Sequence, residues 1–389
     1  MAGGGSPMRL SSAALVVTTL MCAFSFAAQS DTRTKDRSWL IGPFTRPVDT
    51  PVIRPNPLSS FLDPVTRQAV AWEKLHTFNP AATIYEGKVA VLYRAEDDSG
   101  TMMVGGHASR LGLATSSDGL HFTTEPKPVL YGDNDAQKAN EYLGGVEDPR
   151  VVQKEDGTYV VTYTQYARER QTYTIGIATS RDLHHWTKFG PIFDAAQNGK
   201  YRGFKYKSSG IVTRWDGRRM VAAKIHGKYW MYWGEITIRL ATSDDLIHWT
   251  PVVDAKTGEP KVMLAPRPGH FDSGFPETGP PPVLTAKGIV MLYNAKNATH
   301  PPEGDGSTDL AAGTYSVGEA LFAADDPSKM LDRTETPVFR PERPFERSGQ
   351  YVDGTTFAEG LVRFAGKWFL YYGCADSLVG VATAPVAVE

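Results

Sequence analysis

The sequence predicts an all-β, five-bladed β-propeller, and three observations carry that prediction. A phrase of the form Ala-Thr-Ser-x-Asp recurs at intervals of 64 and 63 residues. Five strand-like segments each precede one copy of the phrase, strong or weak. An aromatic content of 11% with 37 Gly and 27 Pro suits many short strands joined by tight turns.

The strong copies are Ala114-Thr115-Ser116-Ser117-Asp118-Gly119-Leu120-His121-Phe122, Ala178-Thr179-Ser180-Arg181-Asp182-Leu183-His184-His185-Trp186 and Ala241-Thr242-Ser243-Asp244-Asp245-Leu246-Ile247-His248-Trp249. Each follows an alternating apolar run, the pattern of a strand with one buried face. Ser and Asp then bond nearby backbone amides to close a turn. The final Phe or Trp is large enough to anchor that turn between blades. Weaker copies lie at 317–327 and 379–384, and the preceding strands at 88–93, 158–163, 228–233, 288–293 and 367–372. Five such pairs mean five blades around a central channel, the usual place for a ligand in a propeller. A β-sandwich is not expected to keep a period near 64.

Residues 1–28 read as a signal peptide, with Arg9 ahead of an apolar run from Ala13 to Ala28. The run is too short and too rich in Ser and Thr for a bilayer span, and no later stretch reaches the roughly 20 apolar residues a membrane helix needs. The expectation is a secreted or periplasmic protein with no membrane span in the mature chain. A Pro-rich extension over 29–70 is expected to wrap a neighbouring blade or subunit, and a propeller domain to fill 71–389. Removing the signal leaves Cys374 as the only cysteine, so no intramolecular disulfide is available and the core must supply stability. A net charge of −2 without long basic runs argues against nucleic acid. The nine His show no zinc-site spacing and no nucleotide-type Gly-rich loop occurs, so neither a metal nor a cofactor is expected. Homo-oligomerisation is left open.

The informative residues are the charged and amide side chains at strand starts and turns. They fall in Phe78-Asn79-Pro80, Leu92-Tyr93-Arg94-Ala95, Gly144-Gly145-Val146-Glu147-Asp148-Pro149-Arg150 and Gly373-Cys374-Ala375-Asp376. Each lies near a counted strand, so a propeller brings all four to one end of its axis. Alone, Glu-Asp-Pro-Arg also reads as a charged surface turn, and Arg94 as an ion-pair partner of Glu96 or Asp97.

The ordered set Asn-Pro, Tyr-Arg-Ala, Ala-Thr-Ser-x-Asp-Gly, Glu-Asp-Pro-Arg, Gly-Pro-Pro-Pro, Arg-Pro-Glu-x-Pro-Phe-Glu and Tyr-Tyr-Gly-x-Ala-Asp resembles glycoside hydrolase family 130 from about Asn79 to Thr383. That family contains β-mannoside phosphorylases and β-mannosidases on five-bladed propellers. The resemblance implies an oligosaccharide substrate. It implies Asp148 as the catalytic acid, delivering its proton through a mannose hydroxyl, and Asn79, Arg94 and Asp376 as mannose-binding residues. The residue types fit the chemistry: a glycosidic oxygen leaves readily once protonated, which asks for a carboxylic acid held partly protonated, and Arg and Asn offer donors to sugar hydroxyls.

Two departures from the family's phosphorylases bear on the reaction. Where those enzymes resemble Gly-Lys-Tyr-x-x-Leu-His-Arg, with His and Arg serving phosphate, this chain reads Gly227-Lys228-Tyr229-Trp230-Met231-Tyr232-Trp233-Gly234-Glu235. Ahead of Gly-Pro-Pro-Pro, where they carry a small residue, it has Glu277-Thr278. The family's hydrolytic members, which act on β-1,2-linked mannosides, resemble this arrangement. The expectation is therefore an inverting glycosidase with Asp148 as acid and Glu235 and Glu277 activating water. A phosphorylase and a non-catalytic glycan-binding propeller are the alternatives. A furanosidase is disfavoured, because Asn79 stands where such enzymes place a catalytic Asp. Against hydrolysis, Lys207, Arg150, Lys224 and Arg202 are candidates for an anion site, with Arg150 and Lys207 taken as substrate-binding. His226 reads as a surface residue, 213–222 as an insertion, and 297–314 as a flexible loop over the site.

Overall fold

The alternating apolar runs pair as antiparallel meanders that form the expected five blades; the computed structural model describes residues 37–100, 105–299 and 305–386. The signal peptide read over 1–28 lies outside the described residues. Blade 1 comprises His76–Tyr85, Lys88–Glu96, Ser109–Ser116 and Thr123–Thr124. Blade 2 comprises Gly145–Gln153, Tyr159–Ala167, Thr172–Ser180 and Trp186–Pro191. In blade 3 the inner Ser209–Ile211 pairs with Lys228–Trp233, followed by Ile238–Ser243 and Trp249–Pro251. The stretch read as an insertion is a hairpin of Thr213–Trp215 with Met220–Ala222. Blade 4 sets Phe275–Thr278 and Val283–Thr285 against Gly288–Lys296, then Tyr315–Phe322 and Met330–Arg333. Blade 5 has Thr356–Phe364, Lys367–Cys374 and Leu378–Pro385. The extension covers its outer edge: Thr45 and Thr383 exchange both backbone hydrogen bonds, at 2.8 and 2.7 Å, and Val52 N–H donates to Val379 O. Covering that edge removes a row of unpaired amides.

The repeated phrase acts locally. In each strong copy one aspartate oxygen accepts two backbone amides, from Leu120 and His121, His184 and His185, or Ile247 and His248, and the other meets the ring of His121, His185 or His248. Three of the nine His are thereby spent on turns. The closing aromatics reach the layers between blades: Phe122 meets Tyr371 of blade 5 edge-on at 5.7 Å, and Trp249 is fully buried. Those layers are the core. One gathers Trp72, Val91, Tyr93, Phe369 and Val381 between blades 5 and 1, another Tyr232, Leu240, Met291 and Phe322 between blades 3 and 4. Each such side chain contributes about 1.5–3 kcal/mol by burial.

The inner strands position the site. Their register slips between Phe78 and Pro80, between Glu147 and Arg150, and between Ala358 and Gly360. A bulge re-aims the side chain it carries. The three bulges hold Asn79, Asp148 and Glu359.

Candidate active site

Asn79 and Asp148 take φ values of 46° and 49°, in the left-handed region that Asn and Asp tolerate better than most side chains. This turns both carboxamide and carboxylate toward each other across blades 1 and 2. Asn79 Nδ2 donates to Asp148 Oδ1 at 2.8 Å, while Asn79 Oδ1 is buried without a partner among the described residues. Gly373 makes room, since a Cβ there would stand 2.3 Å from Asn79 Oδ1. That explains the glycine of Tyr-Tyr-Gly-x-Ala-Asp.

Arg94, on the second strand of blade 1, binds three acids at once. Its Nη1 donates to Asp148 Oδ1 at 3.1 Å, and its Nη2 to Glu96 Oε1 at 2.6 Å and Glu147 Oε1 at 3.0 Å. Nε donates to Ser109 Oγ, and the guanidinium lies 4.6 Å above the Phe78 ring. The anticipated pair with Glu96 therefore exists, but Asp97 turns instead to Arg110. Arg94 also lowers the Asp148 carboxyl, an influence that its spacing from Glu96 does not disclose.

The acids divide sharply. Burial pushes the Asp148 carboxyl up, but Arg94, Lys207, Arg150 and the Asn79 amide outweigh it and hold it at about 2. The sequence suggests a partly protonated acid; Arg94, Lys207 and the Asn79 amide instead favour the ionised form of Asp148. Burial dominates at two neighbours, Glu147 and Asp376, and raises each to about 7 despite Arg94. Asp376 sits on the left-handed turn after Lys367–Cys374, where its backbone carbonyl accepts Gln350 Nε2 at 2.9 Å. Protonation near neutral pH is thus favoured on Glu147 and Asp376 over Asp148.

Glu235 and Glu277 come from blades 3 and 4 and meet at one lysine. Lys207 Nζ lies 3.3 Å from Glu235 Oε2 and 3.6 Å from Glu277 Oε1. Tyr173 Oη donates to Glu235 Oε1 at 3.0 Å, and Ser208 Oγ donates to Glu277 Oε1. Thr278 N–H donates to Gly234 O at 3.2 Å, fastening the two glutamate-bearing segments together. Gly234 has φ 114°, and a Cβ there would meet Thr237 O at 2.5 Å. Burial and the Glu235 charge raise the Glu277 carboxyl against the pull of Lys207. Lys207, expected to bind substrate, is already matched by two carboxylates.

Arg150 also departs from its expected role. It is 2% exposed, and its guanidinium donates to Asp148 O at 2.9 Å, Thr278 O at 2.8 Å and Gly279 O at 3.3 Å while pairing with Glu359 Oε1 at 2.9 Å. It is a pin beneath the site, joining the strand of the acid to the strand of Glu277. Glu359 was missed, because nothing in its local sequence distinguishes it from any strand residue. Its carboxyl is fully buried and burial pushes it well above the usual range.

The remaining candidates for an anion site do not gather. Lys224 lies 4.8 Å from the Tyr229 ring, and Arg202 reaches Asp194 O. His226 is exposed and bonds Asp325 O. His76, Glu96 and His107 bring one possible ligand atom each within 4.8 Å of one another. Both Glu96 oxygens are engaged, by Arg94 and by Gln350, so a cation there would compete with Arg94. The loop read over 297–314 is tied down in its described part: Asn297 Nδ2 donates to Ser307 O, Leu310 O and Ala311 O. Residues 300–304 lie outside the described residues.

The chain is similar to several known proteins along most of its length. A glycosyl hydrolase from Bacteroides ovatus shares 50% identity with a TM-score of 0.85, over 90% of this chain and 97% of its own. A second structure, from work on family 130 glycoside hydrolases that target β-1,2 mannosidic linkages in Candida mannan, shares 49% identity with a TM-score of 0.86, over 90% and 97%. A 1,2-β-oligomannan phosphorylase of Thermoanaerobacter sp. (strain X514) is 31% identical, over 80% of this chain and 90% of that one. The family profile described as β-1,4-mannooligosaccharide phosphorylase matches residues 52–388. With its five-bladed propeller and with Asp148, Glu277 and Glu359 on inner strands, the chain belongs to glycoside hydrolase family 130, a family of enzymes acting on β-mannosides.

Proposed function

We propose that this protein is an exported inverting β-mannosidase that hydrolyses β-1,2-linked mannosides. The observation that carries the reading is the pairing of Glu235 and Glu277 on Lys207. A phosphorylase must gather uncompensated cations and hydroxyl donors around phosphate. Here the lysine is matched by two carboxylates, so an entering phosphate meets net negative charge. An inverting hydrolase needs a carboxylate on that side, to deprotonate water opposite the leaving oxygen. The higher identity to relatives described as hydrolases supports the same choice.

In the proposed reaction mannose lies against Asn79 and Asp376, and Asn79 Oδ1 takes a sugar hydroxyl. The proton that Asp148 relays is drawn from its neighbours Glu147 and Asp376, the acids held at about 7. Asp148 passes that proton through a mannose hydroxyl to the glycosidic oxygen. Water loses its proton to the Glu235–Glu277 pair, its oxygen bonds the anomeric carbon as the glycosidic bond breaks, and mannose leaves with inverted configuration.

Incubating the enzyme with β-1,2-mannobiose, with and without inorganic phosphate, tests this reading. Free mannose as the only product in both is expected. Formation of mannose 1-phosphate would install the phosphorylase reading, which the activity named for the Thermoanaerobacter relative favours. Export rests on the apolar run before Gln29; N-terminal sequencing of the protein recovered outside the cytoplasm should begin just after Ala27 or Ala28.

A further inference from the structure

We propose that a cleft beside Glu235 is a second sugar subsite, holding one pyranose of a longer mannoside chain. The cleft encloses about 370 Å³ between the 193–206 segment and blade 3, and its walls include Tyr201, Phe204, Trp233, Arg239 and Glu259, with Glu235 at one edge.

Its walls are both aromatic and short of hydrogen-bond partners. Trp233 Nε1 and Tyr201 Oη belong to side chains 4% and 1% exposed, and neither has a partner among the described residues; nor has Thr237 Oγ1. Buried polar atoms are normally satisfied. Arg239 stacks 5.5 Å from the Trp233 ring centre and makes one long hydrogen bond, 3.4 Å to Thr237 O, with no carboxylate paired to it among the described residues. Phe204 is 51% exposed and meets Tyr201 edge-on at 5.8 Å.

These features select the ligand's chemistry. Indole and guanidinium groups only donate, so the occupant must supply acceptor oxygens. The exposed Phe204 ring asks for an apolar surface on the same molecule. An apolar ligand would leave the donors unsatisfied, and an anion would face Glu235 and Glu259 as well as Arg239. A neutral pyranose, with hydroxyl oxygens around a ring of C–H bonds, meets all three conditions. The identification of the sugar rests on the proposed hydrolysis. On that reading Glu235 marks the side from which water attacks, so the sugar in the cleft is not the departing one but a residue elsewhere along the chain.

The test uses Phe204→Ala and Arg239→Ala, two changes at the partly exposed rim. For each variant kcat/KM is measured on β-1,2-mannobiose and on β-1,2-mannotetraose. The ratio of tetraose to biose is expected to fall on the order of three- to tenfold in each. A ratio equal to the parent's in both variants would overturn the proposal. A second arm titrates the Asp148→Asn variant with mannotetraose by calorimetry. Weaker binding on adding Phe204→Ala is expected, and unchanged affinity, or no binding in either protein, overturns the subsite. Because this arm needs no turnover, loss of the hydrolytic reading and loss of the subsite are told apart.

Discussion

Replacing Arg150 by Met should damage stability and turnover by separable routes. The guanidinium holds three backbone carbonyls and the Glu359 carboxylate. Removing it leaves three buried carbonyls without a donor and the buried Glu359 carboxyl without its cation, a loss of about 3–5 kcal/mol if the pair is ionised. For a domain of this size that corresponds to a Tm lower by about 4–7 °C, read by thermal unfolding. The double variant Arg150→Met/Glu359→Leu removes both partners and should recover part of that loss, because apolar replacement of a buried pair is often neutral. Turnover should not recover with it. The link from Asp148 O to Thr278 O is cut in both variants, and a misplacement of about 1 Å between acid and base costs roughly a hundredfold in kcat. A double variant with parental kcat, or a single variant with parental Tm, would refute the assignment of Arg150 as the pin.

Further predictions concern charge and packing. Glu319 is fully buried with one oxygen accepting Ile41 N–H, and burial raises it to about 8. The folded state keeps this proton after the unfolded chain has lost it, so the stability it contributes is present below the ordinary value of 4.5 and is lost as pH rises through about 8. Glu319→Gln should flatten that decline in a Tm-against-pH series; an unchanged slope counts against it. Activity should fall as pH rises past about 7, where Glu147 and Asp376 lose the proton the reaction draws on. A kcat/KM profile flat across neutral pH would deny them that role. Gly373→Ala places a Cβ 2.3 Å from Asn79 Oδ1 and should push Asn79 off Asp148, raising KM by about tenfold. A parental KM would show that Asn79 does not hold the sugar.

The parts of this molecule legible in its sequence are those set by neighbours along the chain. The Asp residues of the repeated phrase bind amides two and three positions away, so their spacing alone marks the turns and hence the blades. Asp148, Asn79 and Asp376 stand out as candidates because each lies in a short ordered motif beside a strand. What escaped depends on contacts between blades. Arg150 pairs with Glu359 more than two hundred positions away, and no periodicity announces that a cation beside the acid faces inward and is saturated by protein. The charge of Asp148 escaped for the same reason. Its local sequence has a carboxylate neighbour that would raise it, but Arg94 arrives from blade 1 and holds it down. Lys207 reads as a phosphate ligand until Glu235 and Glu277 are seen to converge on it from separate blades.

The most direct test of the central claim is a proton NMR record of the first turnovers on methyl β-1,2-mannobioside in phosphate buffer, where free mannose comes only from the non-reducing end. If Asp148 protonates the leaving oxygen while the Glu235–Glu277 pair activates water, the first anomeric signal to grow is free α-mannose, at a rate independent of phosphate. A first product of mannose 1-phosphate, or of β-mannose, would contradict the account.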